Sequence, residues 1–252
     1  MHDIELRARI AVLGDWYHRI DFGNGVVSPA IRNQKIEFDI INPFFDGGSL
    51  KGKRVLEIGS NAGGLTRLLA ETADEVVAME PVEPFISQAQ LVKEHFNLRN
   101  VVLVSETVYN AYLFGAFDVI IFHGLIYHVR HPQLVLDMLG HLCAGQLFVS
   151  SQIYNSPEPM LRNRRANSRF TRDGSSNREL LGWEPTPNAL RRMIELAGFR
   201  RPRLISRRTR HHPHPGEGNG IVASNDVYYV ARAPRQPVAV PYLFAGKEGY
   251  GF

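Results

Sequence analysis

From Lys53 onward the chain alternates uninterrupted apolar runs with amphipathic stretches, and this alternation restricts the fold more than any other property. The runs KRVLEIG, EVVAMEP, VVLVSET, FDVIIFHG and GQLFVSSQIY are rich in Val, Ile and Leu without polar alternation. Strands of that kind must be covered on both faces. Between them GGLTRLLAETA, PFISQAQLVKEHF and HPQLVLDMLGHL have helical spacing. Doubly covered strands joined by helices predict a doubly wound, Rossmann-like α/β fold. Two further strands, RPRLISRRT and NDVYYVARA, flank the loop RHHPHPGEGNG and predict a C-terminal antiparallel hairpin at an edge of a seven-stranded sheet.

The flanks divide the chain. Residues 1–50 read as an N-terminal helical cap over the active site: a helix over 2–14 (Ile4, Leu6, Ile10, Leu13), the turn-rich WYHRIDFGNGVVSPA, and a helix around 33–45. Residues 51–235 form the core domain, and 236–252 a tail. Within the core, the polar segment 154–185 is a substrate-covering excursion, since loops of such length are usually functional or disordered. The helix after it starts at Thr186 and Pro187 and stops at Gly198. The tail aromatics Tyr242, Phe244, Tyr250 and Phe252 suit docking on this chain or on a partner.

Charge and cysteine narrow the chemistry. A net charge of +4, with arginines gathered in RNRR (162–165) and from Arg200 to Arg210, permits nucleic acid or an anionic substrate and demands neither. Cys143 is the only cysteine, which excludes an intrachain disulfide and a thiolate metal cluster. The spacing in HHPHP fits no zinc signature, so no metal is expected. No apolar run approaches the roughly 20 residues that span a bilayer. The N-terminus lacks a signal peptide's apolar centre. A reducing, cytoplasmic setting without membrane attachment is expected.

The turn EIGSNAGG closes the first core strand, where doubly wound folds bind ligands. Gly59 and Gly63 allow a tight turn, and Asn61 tolerates left-handed backbone angles well enough to stand in for glycine. Glu57, two residues before Gly59, would repel a pyrophosphate and welcome a cation such as an ammonium group. Glu80 ends the next strand, where an acid accepts hydrogen bonds from ribose hydroxyls. A nucleotide-binding dehydrogenase is the competing interpretation, and Glu57 argues against it.

Across residues 53–233 this combination resembles the class I S-adenosylmethionine-dependent methyltransferases. Glu57, Gly59, Ser60, Asn61 and Gly63 match that family's first motif, and Glu80 with Pro81 its ribose-binding acid. Glu106 and Thr107 of SET match the adenine-contacting place, and FDVIIFHGLIYHVRHP the strand and turn facing the donor methyl. The resemblance implies S-adenosyl-L-methionine as cofactor. WYHRIDFGNGVVSP with GLIYHVRHP is similar to the subgroup of the bacterial tRNA wobble-uridine carboxymethyltransferase, which also holds stand-alone enzymes of natural-product pathways. That likeness implies Tyr127 beside the donor's methionine end. The carboxymethyltransferase's basic RKGPF-like stretch has no counterpart before Trp16, and the chain is short for that enzyme. Ordinary S-adenosylmethionine and a small-molecule acceptor are therefore preferred.

Methyl transfer needs an acceptor held close to the methyl, and a hydroxyl acceptor also benefits from a general base. His128, of a type that titrates near neutral pH, follows the fourth strand; the alternative is a loop-bracing histidine. Tyr127 suits the donor pocket, and His123 suits either that pocket or the core. Tyr17 and His18 come from the cap, where they could act on the acceptor or staple the cap down. Tyr154 and Trp183, at the ends of the excursion, are candidates for the acceptor wall, with anchoring of the excursion as the alternative for Trp183. The expected activity is methylation of an oxygen or nitrogen of a small metabolite. A tRNA-modifying enzyme and a non-catalytic cofactor- or protein-binding domain are the alternatives.

Overall fold

The computed structural model describes residues 2–166, 180–213 and 221–236. The cap holds α1 (Asp3–Val12), β1 (Asp21–Gly23), β2 (Val26–Val27) and α2 (Lys35–Ile41). The core follows with β3 (Arg54–Ile58), α3 (Gly64–Ala70), β4 (Glu75–Met79), α4 (Glu83–His95), β5 (Val101–Val104), β6 (Phe117–Phe122), α5 (Pro132–Leu142) and β7 (Cys143–Ile153). Then come β8 (Leu161–Ala166), β9 (Leu180–Pro185), α6 (Pro187–Leu196), β10 (Arg200–Pro213) and β11 (Ile221–Arg232). A single-turn helix at Ile126–His128 follows β6.

Seven strands form one sheet in the order β10-β11-β7-β6-β3-β4-β5. Strands β3 to β7 pair in parallel, while β11 runs antiparallel to both β7 and β10. The expected C-terminal hairpin is present, with its second strand inserted beside β7 and its first at the edge. It is longer than its apolar pattern suggested: His211 and His212 pair with Ala223 and Val222 inside the ladder. His214 lies outside the described residues, as do Tyr242, Phe244, Tyr250 and Phe252. The strand order reverses between β3 and β6, which puts the switch point of the fold at their carboxyl ends.

Successive strand residues point to opposite faces, so each strand feeds two cores. Leu56, Ile58, Ile120, Phe122, Leu147 and Val149 pack with Leu136 and Leu139 of α5 and Leu190 and Ile194 of α6. Val55, Val76, Val119, Ile121 and Phe148 pack with Leu65 and Leu69 of α3 and with Ile41, Phe45 and Leu50. Each such side chain contributes about 1.5–3 kcal/mol on burial.

The cap has its own cluster. Leu6, Ile10, Trp16, Ile20, Phe22 and Val26 close on Ala62 and on Leu91 and Val92 of α4. The Gln88 side-chain amide, fully buried on α4, donates to the carbonyls of Leu13 (3.0 Å) and Asp15 (2.9 Å). The β1–β2 hairpin was not expected from the sequence. Its signal was Asn24-Gly25, whose positive φ angles of 50° and 69° suit the tight turn that matches strand twist. Among the described residues no group of His, Cys, Asp and Glu could hold a metal ion, and no helix is long and apolar enough to cross a membrane.

Candidate active site

The loop after β3 takes its shape from three left-handed residues: Gly59 (φ 76°), Asn61 (φ 50°) and Gly63 (φ 77°). Asn61 thus adopts the conformation a glycine would supply, and its Oδ1 accepts from the Ala62 N–H at 2.7 Å. The N–H groups of Gly59 and Ser60 donate to the Met79 carbonyl at 2.8 and 3.0 Å, tying the loop to the end of β4. Gly63 also permits close approach, since a Cβ there would sit 3.3 Å from Ala89 on α4. The Ser60 Oγ is buried within this loop without a hydrogen-bond partner.

Two acids stand beside the loop. Glu80 is 6% exposed; its Oε2 accepts from the Asn61 N–H (3.0 Å) and its Oε1 from the Val82 N–H (2.9 Å). Burial pushes its pKa up to about 7 against the pull of those two bonds. Glu57 is 3% exposed and accepts the Thr66 hydroxyl at 2.5 Å. Burial pushes its pKa up to about 8; the Thr66 bond opposes this, and the neighbouring Glu80 charge adds to it. A second anion here would meet buried carboxyl groups, whereas a cation would draw off their protons and pair with them.

The cap reaches this loop through His18. Its Nδ1 accepts from the Gly64 N–H at 3.2 Å, which leaves the ring proton on Nε2. Burial, and secondarily the Arg32 charge, lower its pKa to about 3. His18 is therefore a neutral hydrogen-bond acceptor braced against the loop. Tyr17 is 41% exposed; its ring lies 5.5 Å from that of His18 and beneath the Arg32 guanidinium at 4.4 Å. A Cβ at Gly64 would come within 2.9 Å of His18 Nδ1 and 3.0 Å of Gln34 Cγ, so this glycine admits the cap. Thr66, Arg32, Gln34 and the need for glycine at position 64 were invisible in the sequence, because only the tertiary approach of cap to loop reveals them.

The turn after β6 completes the crest. The Gly124 N–H donates to the Ser150 hydroxyl at 2.9 Å, binding the turn to β7. Leu125 lies over the loop, 3.1 Å from where a Gly59 Cβ would be. The half-buried rings of Tyr127 and His128 stand 4.3 Å apart. His123 meets Tyr228 edge-on at 5.5 Å. Glu106 and Thr107, half-buried beyond β5, shape the next turn: Glu106 accepts from the Asn110 side chain at 2.7 Å, and the Thr107 carbonyl from the Asn110 N–H at 3.0 Å. Pro81 follows Glu80 at the β4 end. The carboxyl ends of β3 to β7 thus gather Glu57 to Gly63, Glu80, Pro81, Glu106, Thr107, His123, Tyr127, His128 and Tyr154 along one crest.

The excursion is a two-stranded antiparallel ribbon, β8 with β9, in its described part. Its base lies on the Ile126–His128 turn: a Cβ at Gly182 would be 2.0 Å from the Tyr127 carbonyl oxygen. The Trp183 indole N–H donates to the Arg130 carbonyl at 3.1 Å, so Trp183 anchors the ribbon to that turn. Tyr154 lies under the Arg162 guanidinium at 4.1 Å, and Arg162 pairs with Glu184. Beside this, Asn155, Ser156, Pro157, Pro187, Asn188 and Arg207 line an open groove of about 410 Å³.

Residues 31–201 match the family described as methyltransferase domain. The tRNA U34 carboxymethyltransferase of Pseudoalteromonas translucida (strain TAC 125) is 35% identical over 116 residues, 43% of this chain and 35% of that protein. That of Syntrophotalea carbinolica (strain DSM 2380 / NBRC 103641 / GraBd1) is 25% identical over 174 residues, 66% of this chain and 52% of that protein. The chain thus spans about a third to a half of the length of these relatives. Among solved structures, the N-terminal domain of EvdMO1, crystallised in the presence of SAH and D-fucose, superposes with a TM-score of 0.69 at 20% identity, covering 92% of this chain and 97% of that domain.

Proposed function

The chain belongs to the methyltransferase-domain family, and on that premise we propose that it transfers a methyl group from S-adenosylmethionine to an oxygen or nitrogen of a small metabolite. The observation that carries this is the buried acid Glu57 beneath a loop of three left-handed residues. Such a site favours a donor with a cationic end over a pyrophosphate. When bound, the donor supplies an electrophilic methyl on a sulfonium. The residues present fit it. We read Glu57 as the partner of the ammonium and Glu80, whose oxygens keep lone pairs, as the acceptor of ribose hydroxyls; the Ser60 hydroxyl is buried in the same loop. Glu106 and Thr107 suit the adenine end, and His123 and Tyr127 the methionine end.

We read His128, whose ring stands 4.3 Å from that of Tyr127, as the base that takes a proton from an acceptor hydroxyl, and Tyr17, Tyr154 and Trp183 as residues of the acceptor wall. The chain does this work by holding and orienting groups and excluding water. A small acceptor is supported by the ribbon seated low on the Tyr127 turn. The EvdMO1 domain, nearly all of which superposes, was crystallised in the presence of a monosaccharide.

Calorimetry with S-adenosylhomocysteine (SAH), NAD and ATP tests the donor site. Heat with the first alone is expected, and capture of NAD or ATP without it would overturn the assignment. Methyl transfer itself is read as SAH formed with small-molecule extracts; donor binding without turnover on any of them would point to a non-catalytic binding domain.

A second reading, modification of tRNA, is favoured by one observation. Arg191, Arg192, Arg201, Arg203 and Arg207 are exposed on α6 and on the edge strand β10. Tight tRNA binding, with a loss of about 0.9 log units per phosphate contact per tenfold salt, would select it.

A further inference from the structure

The groove at the base of the excursion takes no part in the donor site, and its lining is of one electrical sign. Asn155, Ser156, Pro157, Pro187, Asn188 and Arg207 enclose about 410 Å³, far more than a bare ion needs and within the range of small-molecule pockets. Four of these six side chains carry N–H or O–H donors, one of them cationic, and no carboxylate is among them.

Arg207 brings the charge. It pairs with Val227 in the β10–β11 ladder, and Val227 packs in the core that includes Leu190 and Ile194 of α6. Cross-strand partners share a face, so Arg207 stands on the α6 side of the sheet. Other arginines of this region are already paired: Arg162 with Glu184, Arg191 with Glu195 at 3.1 Å and Arg208 with Glu37 at 3.5 Å. Arg207 makes no hydrogen bond, ion pair or ring contact with the described residues.

The walls are fixed before any ligand arrives. Thr186, fully buried, accepts from the N–H groups of Met160 (3.1 Å) and Ala189 (3.3 Å) and donates to the Glu158 carbonyl at 3.0 Å. Asn188 Nδ2 donates to the Pro157 carbonyl at 3.2 Å. The Ser156 Oγ accepts from the Glu158 N–H at 3.2 Å, which leaves its own proton to donate. Pro187 has no N–H, and those of Ala189 and Leu190 are taken by Thr186, so the donors of the groove are chiefly side chains. Walls held in this way lose little freedom on binding.

We infer that this groove binds the anionic group, a phosphate or a carboxylate, of the methyl acceptor, with Arg207 as its charge partner. The inference rests on the small-metabolite reading above. A guanidinium offers paired N–H donors to either oxyanion, and Asn155, Ser156 and Asn188 supply neutral donors beside it. Asn155 directly follows Tyr154, read above as acceptor wall, where the chain leaves β7. The strand order sets the groove on the β7 and β10 side of β6, away from β3 and β4, whose ends carry the two acids. An acceptor anchored in the groove runs past Tyr154 toward the crest, so Arg207 selects the substrate and takes no part in the transfer.

Two measurements on the full chain test this. In amide-resolved NMR, inorganic phosphate or acetate, titrated at constant ionic strength, should shift the signals of Asn155, Ser156 and Asn188, and the tighter of the two names the group. Arg207→Gln should weaken that binding about 10- to 100-fold. Arg99→Gln, the same charge change beside the opposite edge strand β5, should leave it unaltered. No saturable shift at these residues overturns the inference, and so does an equal effect of the two variants. SAH formation is then followed with small-molecule extracts separated on an anion-exchange resin. The retained fraction should support turnover and the unretained fraction should not. Arg207→Gln should raise the KM for the retained fraction about 10-fold or more, with SAH affinity unchanged. Turnover on the unretained fraction, or an unchanged KM, overturns the inference while the small-metabolite reading stands. Turnover on neither fraction sinks that reading itself, and turnover on tRNA instead selects the second one.

Discussion

Glu57 is an acid kept from water, and its proton is the most informative single particle in the site. Its pKa stands at about 8 in the folded chain against 4.5 for the ordinary group, chiefly through burial. A raised carboxyl pKa means the folded state holds a proton the unfolded state has released. Its stabilising contribution is complete below pH 4.5 and is lost as pH rises through about 8. Glu80, at about 7, acts in the same sense. His18, lowered from 6.5 to about 3, has the opposite sign, but its contribution is constant above pH 6.5. Between pH 6.5 and 8 the ligand-free protein should therefore lose stability, by at most about 1.4 kcal/mol per pH unit for each proton released. Denaturant unfolding across that window measures this, and Glu57→Gln should flatten it to the Glu80 share. Over the same window SAH should bind more tightly as pH rises and expel protons. Calorimetry in buffers of different ionisation enthalpy would count them, and zero release in the unmodified chain would contradict an ammonium paired with Glu57.

At the scale of elements, the β8–β9 ribbon depends on one missing side chain. Adding a methyl at Gly182 would place a carbon 2.0 Å from the Tyr127 carbonyl oxygen, which is backbone and cannot swing aside. Gly182→Ala should lift the ribbon from the turn, break the Trp183–Arg130 bond and cost about 1–3 kcal/mol. A melting temperature and a tryptophan emission spectrum equal to those of the unmodified chain would refute this. The ribbon also shows what a sequence conceals. The core strands were legible because Val, Ile and Leu run unbroken through them, and the loop after β3 was legible because Gly59, Asn61 and Gly63 act through local backbone angles. Strands β8 and β9 announce themselves only by pairing, since arginine-rich LRNRRA has no apolar period. β1 and β2, three and two residues long, are too short to carry a period at all. The positions of Glu57 and Glu80 at the ends of β3 and β4 were readable from spacing, but the backbone bonds by which Glu80 braces the loop were not.

At the scale of the whole molecule, the cap and the core meet along a seam where polar contacts surround the small cluster of Leu6, Ile10 and Trp16. Gln88 holds two carbonyls of the cap, Arg9 pairs with Glu94 at 2.8 Å, and His18 takes the Gly64 N–H. Gly64→Ala tests that seam. In an isolated helix the change would stabilise by roughly 0.5–1 kcal/mol. Here the new methyl would crowd His18 and Gln34, so the sign should reverse. The cap should open, seen as faster proteolysis before residue 50 and as weaker SAH binding. Unchanged cleavage with improved stability would show that the cap does not press on the loop. The lower edge of the core is fastened independently, with Gln146 donating to the Phe44 carbonyl at 2.9 Å and Arg232 pairing with Asp46, so opening at the crest need not release α2.

The place of β11 bears on how the chain is made. It is the last strand of the sheet in sequence, yet it lies inside, hydrogen-bonded on one side to β7 and on the other to β10. While a ribosome is still extending the chain toward residue 232, β7 lacks the strand that covers this edge in the folded protein. The nascent protein must therefore wait, open to β-pairing with its neighbours, until β11 emerges to take its place in the sheet.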